Sequence, residues 1–332
     1  MLDVWFGALR HGYRFARMLQ ADVLEERGYH LAARALRSEP VVACSDRRAL
    51  AVTTDGRVVD WGRPPRRRQN RPYVRKPAWL LRDVRAATAG EEHYLALTGD
   101  GRVVAWGDNF FGQCDVPDDL PSVEAVAAGA YHSLAVTADG RVVAWGRNDY
   151  GQRDVPPDLP PVVAVAASRM YSLALTADGD VVFWGRGYGT ERIRDVPPGL
   201  KAVAVAAGDS HDLAVTPEGR VAAWGDNGCG QCNVPPDLPP AVAVAASYGY
   251  SVALTVTGDV VVWGSPQFTR GVMSGLKAVA VAAYEVPLFA VTPEGRVVCR
   301  AVGWIHRSDP RFDVPPGLKV RVAPSGTPAG NT

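Results

Sequence analysis

The segment 101–107, which reads Gly-Arg-Val-Val-Ala-Trp-Gly, constrains the fold most because the chain repeats it along most of its length. Equivalent segments occupy 56–62, 140–146, 179–185, 219–225 and 258–264, and a seventh copy begins at Gly295 with Arg300 in the tryptophan position. The tryptophans stand at 61, 106, 145, 184, 224 and 263, so successive copies are 45, 39, 39, 40 and 39 residues apart. A fixed period of about 20–50 residues is typical of propellers, solenoids and arrays. The repeat therefore takes precedence over any segment-by-segment assignment.

Each unit reads as short β-strands joined by tight turns. Residues 123–128 and 134–137 are apolar runs, Asp139-Gly140 suits a two-residue hairpin turn, and residues 142–145 form the returning strand. Prolines end the unit, because proline does not fit inside a central strand. Three or four strands per copy leave no room for a crossover helix, so each sheet is antiparallel. We predict an all-β fold, a seven-bladed β-propeller with a short N-terminal helical segment.

The position of each strand in the ring also follows from the residue pattern. Residues 202–207 alternate alanine with valine, and 243–246 and 280–283 repeat the pattern. Alternating small and large side chains suit the narrow space near the axis of a ring of blades. The tryptophan column is expected further out, where more bulk is needed between neighbouring blades.

The two ends of the repeat array predict how the ring closes. Residues 313–322 resemble 195–205 and form the beginning of a repeat, whereas the copy that starts at Val41 lacks that beginning. We predict a propeller over residues 41–322 that is closed by the C-terminal strand, which removes open sheet edges. Residues 1–40 have near-helical apolar spacing and are interpreted as a helical cap on the propeller or a docking segment for a partner. Residues 323–332 are expected to form a flexible tail.

Composition narrows the cellular setting. The 36 Lys and Arg residues nearly balance the 35 Asp and Glu residues, so net charge gives no reason to expect nucleic-acid or membrane binding. The sequence has no uninterrupted apolar stretch of about 18 residues, which a transmembrane helix would need. Asp3, Arg10 and Arg14 interrupt the segment that would form the apolar core of a secretory signal. We predict a monomeric cytoplasmic protein. Five cysteines in a chain of this length do not indicate a disulfide framework.

No residue pattern indicates a cofactor or a metal, and we predict neither. Cys229 and Cys232 have the spacing of a metal or redox pair, but Cys232 shares the repeat position of Cys114 and no second pair follows. His93, His132 and His211 also share one repeat position. We interpret them as side chains that form hydrogen bonds within their own blades.

The link between the first two copies is strongly basic. Between positions 63 and 85, nine Lys and Arg residues stand against one acid, Asp83. The candidate contacts to a polyanion or an acidic partner are Arg66, Arg67, Arg68, Arg71, Arg75 and Lys76, with Tyr73 and Trp79 available for stacking. The alternative is a solvated loop whose charge is balanced by neighbouring acidic turns.

The units Gly129-Ala-Tyr-His-Ser-Leu-Ala-Val136 and Val142-Val-Ala-Trp-Gly-Arg-Asn-Asp-Tyr-Gly-Gln152 resemble the regulator of chromosome condensation repeat, which forms seven-bladed propellers. The short period and the Val-Pro segment are most similar to bacterial members such as the propeller-type β-lactamase inhibitory protein. The resemblance covers residues 41–322 and implies the fold. Because the family includes exchange factors, protein inhibitors and adaptors, the resemblance does not specify one function.

Two positions change in every copy, between the end of the first strand and the His/Tyr position. Packing repeats from blade to blade, so residues that do not repeat are not fixed by packing. In the resembling inhibitor, aromatic and acidic residues of these turns contact the partner protein. The predicted partner-binding residues are Arg47, Glu91, Glu92, Tyr131, Arg169, Met170, Asp209, Tyr248 and Glu285, with Tyr94, Phe110, Phe111 and Tyr150 as nearby aromatic anchors.

These observations favour a non-enzymatic protein-binding propeller, an adaptor or a protein inhibitor. One alternative is an enzyme with its active site in the axial funnel, for which Glu91, Glu92, Asp209 and His93 are the motivation. It would require two titratable groups within reach of one substrate atom. Another alternative, implied only by the resemblance, is a guanine-nucleotide exchange factor.

Overall fold

Seven antiparallel sheets, one for each copy of the repeat, contain the strands of the described part of the chain. The computed structural model describes residues 42–45, 48–63, 72–76, 82–186, 195–269, 273, 275–284, 287–301, 313–320 and 322. Within those ranges, six sheets have three strands and one has four. The sheets follow one another along the chain as the blades of a seven-bladed β-propeller, which confirms the predicted fold class. The N-terminal helical segment and the C-terminal tail predicted from the sequence lie outside the described residues.

The strands are numbered in chain order and grouped by blade. Blade 1 contains β1 (Val42–Cys44), β2 (Arg48–Val52) and β3 (Val58–Gly62), and blade 2 contains β4 (Tyr73–Val74), β5 (Val84–Ala89), β6 (His93–Thr98) and β7 (Val103–Asp108). Blade 3 contains β8 (Val123–Ala128), β9 (His132–Thr137) and β10 (Val142–Gly146), and blade 4 contains β11 (Val162–Ala167), β12 (Tyr171–Thr176) and β13 (Val181–Gly185). Blade 5 contains β14 (Ala204–Ala207), β15 (His211–Val215) and β16 (Val221–Gly225), and blade 6 contains β17 (Ala241–Ala246), β18 (Tyr250–Thr255) and β19 (Val260–Gly264). Blade 7 contains β20 (Ala280–Ala283), β21 (Pro287–Val291) and β22 (Val297–Ala301), and one short helix, α1 (Pro266–Thr269), follows blade 6.

Tight turns set the register of each blade. In blade 3, β8 pairs with β9 and β9 with β10, so that Leu134 stands opposite both Ala127 and Ala144. Gly140 in the β9–β10 turn has φ +81°, which glycine adopts without the Cβ clash that other residues suffer. Its carbonyl accepts a hydrogen bond from the backbone nitrogen of Val162, at 2.8 Å, where the next blade begins. The same turn therefore closes one blade and aligns the following one.

Blade 2 carries the additional outer strand, and the long first link supplies it. Tyr73 and Val74 pair with Asp108 and Gly107 of β7. The extra residues between the first and second tryptophans thus extend the sheet of blade 2 outward.

The tryptophan column lies on the outermost repeated strand of each blade and packs against the preceding blade. Trp145 of blade 3 packs with Leu95 and Leu97 of blade 2, and Trp184 of blade 4 packs with Leu134 of blade 3. All six tryptophans of this column are buried. The hydrophobic core is therefore a set of interfaces between blades, and the ring is stabilised by neighbouring blades rather than by one central core.

Blade 1, at the start of the described chain, is contacted by the C-terminal part. The ring of Trp61 in blade 1 meets the ring of Phe289 in blade 7 edge-on, with centroids 5.8 Å apart. Val320, which is 1% exposed, bridges Thr53 in antiparallel fashion and donates its backbone N–H to the carbonyl of Gly295 at 2.9 Å. In blade 3 the corresponding contacts are made by Val123, with Thr137 and with Gly101. The C-terminal segment therefore takes the place of the first residue of an inner strand in blade 1.

Candidate functional site

The turns between the first and second strands of the described blades emerge at one end of the ring, which we call the turn face. The antiparallel register brings the loops that leave the third strands to the same face, since His93 at the start of β6 pairs with Gly107 near the end of β7. Aspartate-glycine turns and proline segments occupy the opposite end. The described residues of the variable turns that were predicted to bind a partner lie on the turn face.

An axial cavity of about 280 Å³ opens on the turn face. Its wall comes from the first strand of every blade, and the side chains there are almost all alanine and valine, including Ala128, Ala167 and Ala207. Residues of the variable turns, among them Arg169 and Asp209, stand at its mouth. The predicted small-residue lining of the axis is present, and polar groups are concentrated at the mouth.

An ion pair crosses the mouth of the cavity. Arg169 of blade 4 donates from Nη2 to Oε1 of Glu91 in blade 2 at 2.9 Å, over the turn of blade 3. Burial, a hydrogen bond with Glu91 and the charge of that carboxylate raise the pKa of the Tyr131 phenol to about 12. Burial opposes the charge on Arg169, but the negative charge of Glu91, followed by Tyr284 and Asp209, outweighs it and raises the pKa of the guanidinium. The variable turns of three successive blades therefore form one connected polar group.

An aromatic patch made of Phe110, Phe111, Tyr131, Arg147 and Tyr150 lies beside this ion pair. The Phe111 ring centroid is 4.8 Å from that of Phe110 and 5.3 Å from that of Tyr131. The Arg147 guanidinium carbon lies 4.7 Å from the Phe111 centroid, 5.7 Å from that of Tyr131 and 5.2 Å from that of Tyr150. These distances permit cation–π attraction to all three rings.

Buried amide side chains hold the patch in place. The fully buried Gln113 side chain accepts a hydrogen bond from the backbone N–H of Phe111 at 2.9 Å and donates to Asp108 Oδ1 at 3.0 Å. Asn109 accepts a hydrogen bond from the backbone N–H of Cys114 at 2.7 Å. The repeated Asn and Gln residues thus fix a compact loop on which the aromatic residues between them are displayed. Gln152 holds the backbone N–H of Tyr150 in the same way, at 2.9 Å.

Three parts of this ring match the family profile described as the Regulator of chromosome condensation (RCC1) repeat. The matched residues are 84–113, 123–152 and 202–231. Those three segments, in blades 2, 3 and 5, are similar to the RCC1 repeat. No curated protein matches it by sequence. The bacterial inhibitory subgroup predicted from the short period stays a prediction.

Solved structures with the same fold include proteins from plants and yeast. The receptor kinase CR4 ectodomain of Physcomitrella patens has a TM-score of 0.62 and 21% identity, covering 80% of this chain and 73% of that one. The CRINKLY WD40 ectodomain of the Arabidopsis thaliana receptor kinase ACR4 gives 0.59 and 20%, covering 83% and 99%. Prp20p of Saccharomyces cerevisiae, titled for its binding to Gsp1p and histones, gives 0.59 and 18%, covering 74% and 80%. At these identities the similarity establishes the propeller fold.

The three described histidines, His93, His132 and His211, connect neighbouring blades, so the prediction that they bond within their own blades is wrong. His132 Nε2 of blade 3 lies 3.0 Å from Ser172 Oγ of blade 4, and that hydroxyl donates to the Gln152 carbonyl at 2.9 Å. Trp184 Nε1 donates to the same carbonyl at 3.0 Å. Because the hydroxyl proton is used for the carbonyl, the Nε2 atom of His132 must donate. We call each His–Ser–carbonyl–Trp connection a blade latch.

The blade latch occurs three times among the described residues. His93 reaches Ser133 at 3.0 Å, and His211 reaches Ser251 at 2.8 Å. Burial is the main cause that lowers the pKa of His93 to about 4 and that of His132 to about 3, so both rings are neutral near pH 7. The sequence showed the histidine column, but the blade that supplies its partner became visible only in the fold.

Glycine residues make room for two of these rings. A Cβ on Gly90 would lie 2.4 Å from His93 Cε1, and one on Gly129 would lie 2.2 Å from His132 Cε1. In blade 4 the corresponding pair is Ser168 and Tyr171, whose hydroxyl groups both donate to the Gly208 carbonyl at 2.6 Å. Glycine at the first position therefore accompanies histidine at the second, and serine accompanies tyrosine, because a Cβ would collide with the histidine ring.

The cysteines repeat a structural contact. Cys232 Sγ lies 3.3 Å from the Asp226 carbonyl, and Cys114 Sγ lies 3.4 Å from the Asp108 carbonyl. Burial, followed by nearby aspartates, raises the pKa of Cys232 to about 11, so its thiol is protonated at neutral pH. Among the described residues, no group of three or more His, Cys, Asp or Glu side chains has an arrangement that could hold a metal. In that same part of the chain, no helix has the length and apolarity that a membrane span requires.

The structure divides the predicted site residues into different environments. Glu91, Glu92, Tyr131, Arg169, Met170, Asp209 and Tyr248 lie in the described turns, whereas Arg47, Glu285, Arg66, Arg67, Arg68 and Arg71 lie outside the described residues. Arg75 is exposed. Lys76 donates to Asp60 Oδ1 at 2.7 Å and to the Val58 carbonyl at 2.8 Å, so much of its charge is used within the fold.

The places of Tyr94 and Arg147 in the structure differ from what the sequence indicated. Tyr94 is 5% exposed and stacks on Trp106 with centroids 5.6 Å apart, so it is not a surface anchor. Arg147, which we did not predict, joins the rings of three separate segments. No sequence signal marks Arg147, because Phe111, Tyr131 and Tyr150 come together only when blades 2 and 3 are packed.

Proposed function

We propose that this chain is a non-enzymatic protein-binding propeller, acting as an adaptor or an inhibitor, and that its partner docks on the turn face. One observation carries the proposal. Among the described residues, the large hydrophobic side chains that are exposed are Phe110, at 49%, and Tyr248, at 58%, and both lie on the turn face. Protein interfaces concentrate their binding energy in aromatic and arginine side chains within such surfaces.

The order of the aromatic patch supports this proposal. The exposed ring of Phe110 packs against Phe111, whose backbone is held by Gln113 and whose ring lies under Arg147, so Phe110 should lose little conformational freedom when a partner binds. A preorganised patch is therefore a better anchor than the same residues on a mobile loop. Similarity to Prp20p adds only that the fold is compatible with protein binding.

The titratable side chains at and near the mouth of the cavity support an enzyme less well than they support a binding protein. General acid–base catalysis works best with a pKa near the operating pH. The pKa values of Tyr131 and Arg169 move further from neutrality, and His93 and His132 are buried. Guanine-nucleotide exchange remains an alternative from fold similarity, and nucleotide-release kinetics with candidate GTPases would test it.

The test is affinity capture from a native lysate with the intact protein and with a Phe110→Ala, Tyr248→Ala double variant. A matched control carries Asp118→Ala and Asp158→Ala, which change two exposed residues in the proline segments of the opposite end. We expect a partner that binds the wild type and the control but is lost from the turn-face variant. Equal recovery of every captured protein by all three forms would contradict the proposal. If the partner is an enzyme, a fall in its activity on binding distinguishes an inhibitor from an adaptor.

A further inference from the structure

The basic link between blades 1 and 2, residues 63–76, is attached at the turn face at two points. Strand β3, which precedes the link, ends at that face, because Gly62 pairs with the first residue of β2. The second attachment is at Pro72, whose carbonyl accepts a hydrogen bond from the backbone N–H of Asn109 at 2.9 Å. Asn109 directly precedes Phe110 in the sequence. The second attachment therefore adjoins the aromatic patch.

The length of the chain between these two points limits how far its charge can lie from the turn face. Residues 64–71 lie outside the described part of the chain, and their sequence contains four arginines and no acid. A fully extended chain advances about 3.3–3.6 Å per residue, so a segment of this length held at both ends reaches about 15 Å from them. Strand β7, with 6 residues, is about 20 Å long. The four positive charges therefore cannot reach the opposite end of these blades.

The charge around the aromatic patch is positive even when the nearby carboxylates are counted. Residues 60–76 contain seven Lys and Arg residues and one acid. The neighbouring turns and loops of blades 2 and 3 contain four acids and one arginine, in 90–93, 108–113, 129–132 and 147–150. Together these segments have eight basic and five acidic residues, a net charge of +3, in a chain whose total is +1. Electrostatic complementarity therefore favours an acidic partner at this part of the turn face.

The aromatic patch itself favours a protein over a nucleic acid as the source of that acidity. Nucleic-acid bases bind by stacking on free aromatic faces, whereas the Arg147 guanidinium carbon lies 4.7 Å from the centroid of the Phe111 ring. Phe110 meets the same ring edge-on, at an interplanar angle of 87°, and is 49% exposed. An interlocked cluster of this kind suits an apolar or aromatic side chain of a protein, with charged groups around it.

We propose that the protein partner presents an acidic segment with a central aromatic or apolar side chain. That side chain packs on Phe110, and the carboxylates around it face the positive charge of the basic link. The inference rests on the proposed function for the position of the interface. It joins two features that are separate in the sequence, the aromatic patch and the basic link, in one interaction surface.

Short peptides test this chemistry without the partner. The probes are acetyl-Glu-Glu-Trp-Glu-Glu-amide, the same peptide with glutamine or lysine in place of glutamate, and acetyl-Glu-Glu-Gly-Glu-Glu-amide, which lacks the aromatic side chain. They are titrated into full-length protein labelled at phenylalanine rings, because Phe110 and Phe111 report on the patch. We expect the acidic tryptophan peptide to bind most tightly and the lysine peptide most weakly. Raising the salt concentration should reduce the difference.

Two variants separate the charge from the aromatic contact. Arg66→Gln, Arg67→Gln and Arg68→Gln together should weaken the acidic tryptophan peptide about tenfold, the combined effect of three charges about 8 Å away in water. Phe110→Ala should weaken the tryptophan peptides and leave the glycine peptide unchanged.

A matched control removes the same charge from the opposite end of the ring. It carries Arg102→Gln, Arg141→Gln and Arg220→Gln in exposed turns and should bind the peptides as the wild type does. Equal binding of the glutamate and lysine peptides, or equal losses in the control and the link variant, would overturn the inference. Heparin binding without any gain from tryptophan would also overturn it, by assigning the link to polyanions. If the peptides fail but Phe110→Ala with Tyr248→Ala still loses a captured protein, only the acidic assignment is wrong.

Discussion

Acid should weaken this propeller well above the pH at which carboxylates titrate, because two blade latches depend on neutral histidines. His93 and His132 are buried, and burial lowers their pKa values from 6.5 to about 4 and about 3. Between those values and 6.5 the unfolded chain binds more protons than the folded chain. The stability that the neutral rings contribute is therefore present above about pH 6.5 and is lost as the pH falls toward the folded pKa values.

The size of the effect follows from linkage. From about pH 7 to about pH 5, a histidine with an unfolded pKa of about 6.5 and a folded pKa well below 5 loses about 2 kcal/mol of stability. The two histidines together lose about 4 kcal/mol, a large part of the roughly 5–15 kcal/mol that stabilises a typical folded protein. Protonation would also place a buried positive charge next to a hydroxyl that already donates to a carbonyl.

The assay is urea unfolding at several pH values between about 7.5 and 5, with the dependence on urea checked for constancy. A variant with His93→Gln and His132→Gln keeps a side-chain donor at each position but cannot titrate. It should lose most of the pH dependence in this range, even if it is less stable at neutral pH. A flat wild-type profile, or the same slope in both proteins, would refute the assignment of the two rings as neutral latch residues.

Three further predictions concern other parts of the fold. Removal of residues 313–332 takes away the buried Val320 and its bridge to Thr53, so the melting temperature should fall and size-exclusion chromatography should show association through the opened edge; a monomer with an unchanged melting curve would contradict ring closure by this segment. Ser172→Ala removes the acceptor of His132 and should cost about 1–3 kcal/mol in urea unfolding, whereas the exposed Ser122→Ala, as a control, should change little. Lys76→Ala should lower stability, because it leaves Arg48 alone to pair with Asp60. It should lower heparin affinity less than Arg75→Ala does, because Arg75 is exposed and the charge of Lys76 is used within the fold. A larger loss of heparin affinity from Lys76→Ala than from Arg75→Ala would contradict this assignment.

Much of the fold could be predicted from the sequence because each blade solves the same packing problem. The 39-residue step, the Asp-Gly turns and the tryptophan column together require repeated antiparallel sheets, and the alanine-valine strands require a narrow axis. The turn positions could also be found from the chain alone, since residues such as Glu91, Tyr131 and Arg169 break an otherwise regular pattern. The strands, the turns and the variable positions follow from the repeat pattern alone, without knowledge of any tertiary contact.

The partners of those residues were decided only by the tertiary structure. His132 bonds to Ser172 forty positions away, Glu91 pairs with Arg169 across an intervening blade, and Arg147 meets rings from three segments. Sequence spacing determines which side chains occupy equivalent positions in successive blades, but not which neighbouring blade a side chain faces. Closure of the ring determines which blade each side chain faces. It packs the face of each blade against the next blade and places the seven inner strands around one axis.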